Sequence, residues 1–176
     1  MPITYRKLTP GDSGQYRKIR LESLKTHPES FGATYDEEKV QPKLRFEKAI
    51  DQPVDGRFMM GAFDQDELIG IFGFVPFTLG DMLDLRHAGT LVQMYVRSTF
   101  SGQKVGLNLT KAVIREAFSS SDINQIVLGV REGNIFAIRV YEQAGFEIVH
   151  SNKEGINSRH DGFQVMIIHR DNLKPG

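Results

Sequence analysis

Residues 91–106 read LVQMYVRSTFSGQKVG, and the pattern within this stretch decides the fold class. Leu91 to Val96 is a continuous, mostly apolar run, as expected of a central strand. From Gln103 to Phe118 the apolar residues return every three or four positions, which is the period of a helix buried on one face. A strand that runs directly into such a helix predicts a mixed α/β domain with a parallel strand pair.

The turn between this strand and this helix has the features of an anion site. Gly102 and Gly106 bracket the predicted first turn, where four backbone N–H groups have no partner within the helix. These donors and the helix dipole attract anions, and glycine lets a phosphate approach without a Cβ in the way. Lys104 adds a cation. The stretch is neither a P-loop nor a Rossmann fingerprint, and loop glycines without a function are the alternative interpretation.

A second informative stretch, residues 134–146, reads NIFAIRVYEQAGF. Asn134 is placed as the N-cap of an amphipathic helix, and Gly145 as the glycine that ends it. Ala137 and Tyr141 share one helix face. A small residue beside a tyrosine predicts a groove with a phenol projecting into it, and a capped helix with a packing tyrosine is the alternative.

The rest of the chain predicts further strands and helices around this unit, within one domain spanning residues 1–176. Asp12 and Gln15 resemble a capping box that opens the first helix. Pro42 must either begin a new turn in the second helical segment or break it. Strands are predicted at 3–8, 57–63, 67–77, 126–130, 146–150 and 163–169, and helices at 12–26, in part of 36–50 and at 135–144.

Composition excludes several classes of protein. Lys plus Arg equals Asp plus Glu at 22 each, so there is no basic excess for binding nucleic acid. The chain has no cysteine, which excludes disulfides, a thiolate nucleophile and zinc sites with sulfur ligands. No run approaches the roughly 20 apolar residues of a membrane span, and the N-terminus lacks a secretory pattern. A cytoplasmic protein without nucleic-acid, membrane or metal partners is expected.

Both stretches resemble the GCN5-related N-acetyltransferase (GNAT) superfamily. Residues 91–110 are similar to its motif A, where a strand ending in valine runs into Arg/Gln-x-x-Gly-x-Gly/Ala. Gly106 matches that pattern, whereas Ser101 and Lys104 replace its first residue and its first glycine. Residues 134–146 are similar to motif B. The resemblance implies an acyl-CoA N-acyltransferase fold, an α/β (α+β) domain with a mixed sheet of six to seven strands and about four helices.

The resemblance also implies acetyl-CoA as cosubstrate and a role for each residue of the two motifs. Backbone groups of residues 94–96 would pair with the pantetheine arm, and one N–H group would polarise the thioester carbonyl. Tyr141 would be the general acid that protonates the departing thiolate. The implied cofactor-binding residues are Met94, Tyr95, Val96, Ser101, Gly102, Gln103, Lys104, Val105, Gly106, Asn134, Ala137 and Tyr141.

Family chemistry implies direct attack by an amine in a ternary complex, without a covalent enzyme intermediate. Relatives carry a glutamate base where this chain has Thr90, which cannot serve. His87, Asp84, Asp81 or a water chain remain open as the base. The acidic run 36–38 either attracts a cationic amine or simply forms a solvated helix start.

The acceptor implied by the resemblance is a primary amine of a small molecule or of a peptide N-terminus. A homodimer is also implied. A catalytically weak acyl-CoA sensor is the alternative function, because motif A is altered and the glutamate base is absent.

Overall fold

The computed structural model describes residues 2–53, 56–77, 87–152 and 162–173. Within these ranges the chain forms seven strands and five α-helices. In chain order they are β1 (Thr4–Lys7), α1 (Ser13–Thr26), α2 (Tyr35–Lys39), α3 (Arg45–Asp51), β2 (Phe58–Asp64), β3 (Glu67–Pro76), β4 (Ala88–Val96), α4 (Val105–Ser119), β5 (Gln125–Arg131), α5 (Ile135–Ala144), β6 (Glu147–Asn152) and β7 (Phe163–His169).

The seven strands form one mixed sheet in the order β1-β2-β3-β4-β5-β7-β6. β4 and β5 run parallel, and the other five neighbouring pairs are antiparallel. The parallel pair predicted from residues 91–118 is thereby confirmed. None of the helices in the described ranges has the length and apolar character needed to cross a membrane.

Helices cover both faces of the sheet. On one face, α4 and α5 pack against β3 and β5, around Leu109, Phe72 and Ile126. On the other, α1 and α3 pack against β2 and β3, with Tyr16 and Phe46 at the centre. We call these the α4/α5 face and the α1/α3 face. Five helices form where about four were predicted, because the segment around Pro42 separates α2 from α3.

The capping box predicted for α1 was wrong. Asp12 does occupy the N-cap position, but its side chain makes no capping hydrogen bond. Its carboxylate instead accepts from Arg6 Nη1 at 2.7 Å and from the backbone N–H of Thr9 at 2.8 Å. The side-chain oxygen Oε1 of Gln15 accepts a hydrogen bond from the backbone N–H of Leu68 at 2.9 Å. Both side chains bind partners that only the tertiary structure brings to them.

The Arg6–Asp12 pair predicts a pH-dependent stability. The hydrogen bond from Arg6 lowers the pKa of Asp12 from 3.8 to about 2. The carboxylate therefore stabilises the fold above pH 4, and this contribution disappears as the pH falls toward 2. Between pH 6 and pH 2 the free energy of unfolding of the wild type should fall by roughly 1–2 kcal/mol more than that of Asp12→Asn. Urea unfolding at the two pH values measures this difference. Parallel pH profiles of the two proteins would contradict this assignment.

Candidate active site

β4 and β5 pair over only three residues and then separate. Ala88–Thr90 pairs with Gln125–Val127, although β4 continues to Val96 and β5 to Arg131. On its other side, β4 stays paired with β3 as far as Val96. We call the gap between residues 91–96 and 128–131 the β4–β5 cleft. It exposes the edge of a central strand, whose backbone groups need a hydrogen-bonding partner.

The backbone of β4 presents alternate residues to this cleft. The N–H of Arg97 donates to the carbonyl of Ile69 on β3 at 3.0 Å. Because backbone groups alternate in direction along a strand, those of Tyr95 also turn to β3, and those of Val96 and Met94 turn to the cleft. Two of the three predicted pantetheine-pairing residues thus present their backbone to the cleft, where an extended ligand can add as a strand.

A β-bulge interrupts β4 beside the cleft. Gln93 and Met94 together oppose one residue of β3, Phe72, and Gln93 has a φ of 61°. The left-handed conformation is unfavourable for a residue other than glycine. The hydroxyl of Tyr16, fully buried on α1, donates to Gln93 Oε1 at 2.8 Å and holds the bulge. Bulges re-aim the backbone next to functional sites.

Neither Tyr16 nor Gln93 was predicted as a site residue. The available signal was a glutamine in the middle of the otherwise mostly apolar run 91–96.

The predicted phosphate site has unpaired backbone donors. α4 begins at Val105, and no side chain caps it. For the backbone N–H groups of residues 102–107, the described part of the chain offers no hydrogen-bond acceptor. Gly102 and Lys104 both adopt left-handed conformations, with φ of 77° and 59°. Consecutive unpaired amides around such residues form a concave nest that fits a diphosphate.

The second motif forms α5 as predicted. The side chain of Asn134 caps the helix by accepting from the N–H of Ala137 at 3.2 Å. Gly145, with a φ of 106°, ends it, and the N–H of Phe146 reaches back to the carbonyl of Tyr141. Both ends of the helix are therefore fixed, which positions Tyr141 on the side facing the sheet.

The ring of Tyr141 is buried rather than exposed in a groove. It is 6% exposed, stacks on Phe72 at 6.0 Å between ring centroids and meets Phe146 edge-on at 6.0 Å. Since Phe72 faces the bulge, Tyr141 lies beside the bulge on the α4/α5 face. Its hydroxyl has no hydrogen-bond partner within the described ranges, and burial raises its pKa above the ordinary value. The phenol carries its proton at neutral pH, as it would at its ordinary pKa, so a proton is available for donation.

His87, one of the base candidates, is not brought to the bulge. His87 lies just before β4, exposed, with its Nδ1 3.0 Å from the carbonyl oxygen of Asp122. It lies six positions before Gln93, roughly 20 Å along an extended strand. Asp81 and Asp84 lie outside the described residues.

The three residues of the acidic run 36–38 have different roles. Asp36 pairs with Lys39, and Glu37 caps α2 by accepting from the N–H of Thr34 at 2.9 Å. Glu38 instead accepts from Nε and Nη2 of Arg20, at 3.0 and 2.8 Å. The solvated-start interpretation therefore describes the first two residues and not the third.

Arg20 is a buried cation on the α1/α3 face that the sequence analysis missed. Its side chain is 3% exposed and lies over the ring of Phe31, with Cζ 4.9 Å from the ring centroid. Its Nη1 is buried and has no hydrogen-bond partner. A signal was present in the sequence, since Arg20 shares a helix face with the core residue Tyr16.

Comparison with protein families gives a match over most of the chain. The model described as "Acetyltransferase (GNAT) family" matches residues 18–146, which include both motif stretches. No curated protein matches the sequence significantly.

Solved structures share the fold over nearly the whole chain. An acetyltransferase of the GNAT family from Streptococcus pneumoniae is 18% identical with a TM-score of 0.75, covering 96% of this chain and 99% of its own. The putative acetyltransferase yncA from Salmonella typhimurium, solved with acetyl-CoA, is 18% identical with a TM-score of 0.76, covering 100% and 98%. A ribosomal-protein-alanine N-acetyltransferase from Brucella melitensis is 20% identical with a TM-score of 0.71, covering 94% and 99%.

Proposed function

The chain belongs to the GNAT family of acetyltransferases, whose cosubstrate is acetyl-CoA, and we propose that it acetylates a primary amine of a small molecule or a peptide N-terminus. One observation carries the proposal. The β4–β5 cleft has the uncapped start of α4 at one end and the buried phenol of Tyr141 at the other. This arrangement suits a ligand with a diphosphate at one end and a reactive thioester at the other.

Different residues of the cleft bind different parts of acetyl-CoA. Acetyl-CoA supplies the acetyl group as a thioester. The backbone N–H groups of residues 102–107 bind its pyrophosphate, and the backbone of Val96 and Met94 pairs with its pantetheine arm. The bulge at Gln93 aims the next backbone groups at the thioester carbonyl, where an N–H donor stabilises developing negative charge.

Tyr141 completes the transfer as a general acid. The amine nitrogen bonds to the carbonyl carbon, the carbon–sulfur bond breaks, and the phenol gives its proton to the departing sulfur. Tyr141 holds this proton at neutral pH, and a proton from solvent replaces it after the transfer. The proton lost by the amine passes to water, since the side chains described at the bulge, Tyr16 and Tyr141, are phenols whose pKa burial raises and which are already protonated at neutral pH.

The acceptor approaches from the α1/α3 face. The α4/α5 face of the bulge is filled by Tyr141 and Phe72, and the start of α4 holds the pyrophosphate. Direct transfer requires the amine to reach the carbonyl from the side that the cosubstrate leaves open. Tyr16, Arg20 and Phe31 line that side.

Acetyl-CoA turnover with a panel of primary amines, followed as free thiol, tests this function. Amine-dependent thiol release and an acetylated product support it. Tight acetyl-CoA binding with no turnover on any amine favours instead the acyl-CoA sensor, which the altered motif A suggests. The homodimer and the cytoplasmic location stay predictions.

Two substitutions of Lys104 should separate its effect on stability from its effect on acetyl-CoA binding. Because its φ is 59°, Lys104→Gly should raise the free energy of unfolding by about 1 kcal/mol, whereas Lys104→Ala should not. Both variants lose the cation, so both should bind acetyl-CoA several-fold more weakly. Urea unfolding and calorimetric titration measure the two effects. Unchanged affinity in both variants would remove Lys104 from pyrophosphate binding.

A further inference from the structure

A cavity of about 550 Å³ opens on the α1/α3 face, between α2, α3 and the start of β2. This volume suits a small molecule. We call it the cationic cavity because basic side chains dominate its charged lining. The charged residues of the lining are Glu38, Lys43, Arg45, Lys48 and Arg57.

Among the described residues, the basic side chains of the cationic cavity outnumber the acidic ones that pair with them. Lys43 pairs with Asp51, and Glu38 pairs with Arg20. The other three cations, Arg45, Lys48 and Arg57, have no carboxylate partner in the described parts of the chain. Within the described residues there is an excess of three positive charges around this concave site, which favours an anionic ligand.

Two buried guanidinium nitrogens point to the same conclusion. Arg57 Nε and Arg20 Nη1 are both buried without a hydrogen-bond partner. An unmade hydrogen bond of a buried charged donor costs free energy, which an incoming acceptor oxygen recovers. Arg57 borders the cavity directly, and Arg20 is linked to it through Glu38.

The cationic cavity lies within reach of the bulge. Arg20 follows Tyr16 by one helical turn on α1, and Tyr16 holds Gln93 in the bulge. Arg57 precedes Phe58, which pairs through β3 with Leu91 of β4. Arg57 therefore lies two strands, roughly 10 Å, across the sheet from β4, and three residues, roughly 10 Å, along it from the bulge. A small molecule with its amine at the bulge can therefore extend toward the cavity along the α1/α3 face.

We propose that the preferred acceptor is a small amine that also carries an anionic group, a carboxylate or a phosphonate, and that Arg57, Lys48 and Arg45 bind this group. The inference rests on the proposed N-acetyltransferase function and names the substrate class of that site. A second cationic group, as in a polyamine or an aminoglycoside, meets repulsion from the same three residues.

A series of acceptors that share one chain length tests the substrate class. 5-Aminovalerate, pentylamine and 1,5-diaminopentane present the same primary amine with an anionic, neutral or cationic far end. We expect kcat/KM to be at least tenfold higher for 5-aminovalerate than for pentylamine, mainly through KM, and lowest for 1,5-diaminopentane. Comparison with 4-aminobutylphosphonate distinguishes the two kinds of anion. A kcat/KM for 1,5-diaminopentane equal to or above that of 5-aminovalerate would overturn the proposal.

Substitutions in the cavity should remove this preference selectively. Arg57→Gln and Lys48→Gln should each lower kcat/KM for 5-aminovalerate about tenfold and leave pentylamine turnover and the KM for acetyl-CoA unchanged. Lys48→Glu should shift the preference toward 1,5-diaminopentane. Lys111→Gln, an exposed substitution on α4 across the sheet, is the matched control and should change nothing. An unaltered preference in the two exposed-site Lys48 variants would contradict the assignment even if Arg57→Gln fails to fold.

Binding separates this inference from the proposed function. Calorimetry of the coenzyme A-bound protein with 5-aminovalerate and with 1,5-diaminopentane measures the preference without any turnover. Tighter binding of 5-aminovalerate, lost in Lys48→Glu, supports the anion site even if no amine is acetylated. Acetylation of neutral amines without this difference in binding would support the transferase and refute the anion site.

Discussion

Replacing Tyr141 with phenylalanine is expected to lower kcat about 100-fold without changing the affinity for acetyl-CoA. The substitution removes only the phenolic hydroxyl, which general acid catalysis requires and which binding of the cosubstrate does not. The ring keeps its stacking on Phe72, so the geometry of the cleft is preserved. Steady-state kinetics with a saturating amine and calorimetric titration of acetyl-CoA measure the two quantities.

Stability distinguishes this catalytic role from a structural one. Tyr141 is 6% exposed and its hydroxyl has no hydrogen-bond partner within the described ranges, so Tyr141→Phe should leave the free energy of unfolding nearly unchanged. Tyr5→Phe, on the strand at the far edge of the sheet, is the activity control. Wild-type kinetics in Tyr141→Phe would remove the phenol from the mechanism.

The fold was largely predictable from periodicity. The change from a strand pattern in 91–96 to a helical one after Gln103 sets β4, α4 and the parallel pair with β5. Such local patterns also placed the ends of α5, because Asn134 and Gly145 are fixed by contacts within the same few residues. Asp12 shows the limit of this reasoning. Its carboxylate was predicted to cap α1, but it binds Arg6 of β1 instead.

The site was predictable only where it depends on one stretch of chain. The amides of residues 102–107 are unpaired because of local backbone geometry, which the glycines signal. The separation of β4 from β5 depends on the pairing register, and the bulge at Gln93 depends on Tyr16, which is 77 positions away. Arg57 and Glu38 meet at one cavity for the same non-local reason.

The proposed function places the two substrates on opposite faces of the sheet at the bulge. Tyr141 approaches it from the α4/α5 face, where the start of α4 offers its unpaired amides. Tyr16 approaches from the α1/α3 face, together with the Arg20–Glu38 pair and the cationic cavity. A protein arranged in this way can change its acceptor by altering α1 to α3 while the residues that hold acetyl-CoA stay the same.

Phe72 and Phe74 provide a matched pair that tests whether the core positions Tyr141. Both are buried on β3, 1% and 2% exposed, and pack into the core on the α4/α5 face. Replacing either with alanine leaves a cavity and should cost about 3–5 kcal/mol of stability in urea unfolding. Only Phe72 stacks on Tyr141, whereas Phe74 packs on Phe58 with ring centroids 5.3 Å apart.

We therefore expect the two substitutions to cost similar stability and to differ in their effect on catalysis. Phe72→Ala lets the Tyr141 ring shift, and a displacement of about 1 Å at a reacting group can cost on the order of 100-fold in rate. Phe74→Ala should keep kcat within a few-fold of the wild type at a temperature where both variants are folded. If either alanine variant unfolds, Phe72→Leu and Phe74→Leu make the same comparison with smaller cavities. Equal losses of kcat in the two positions would show that Phe72 supports the fold without positioning the phenol.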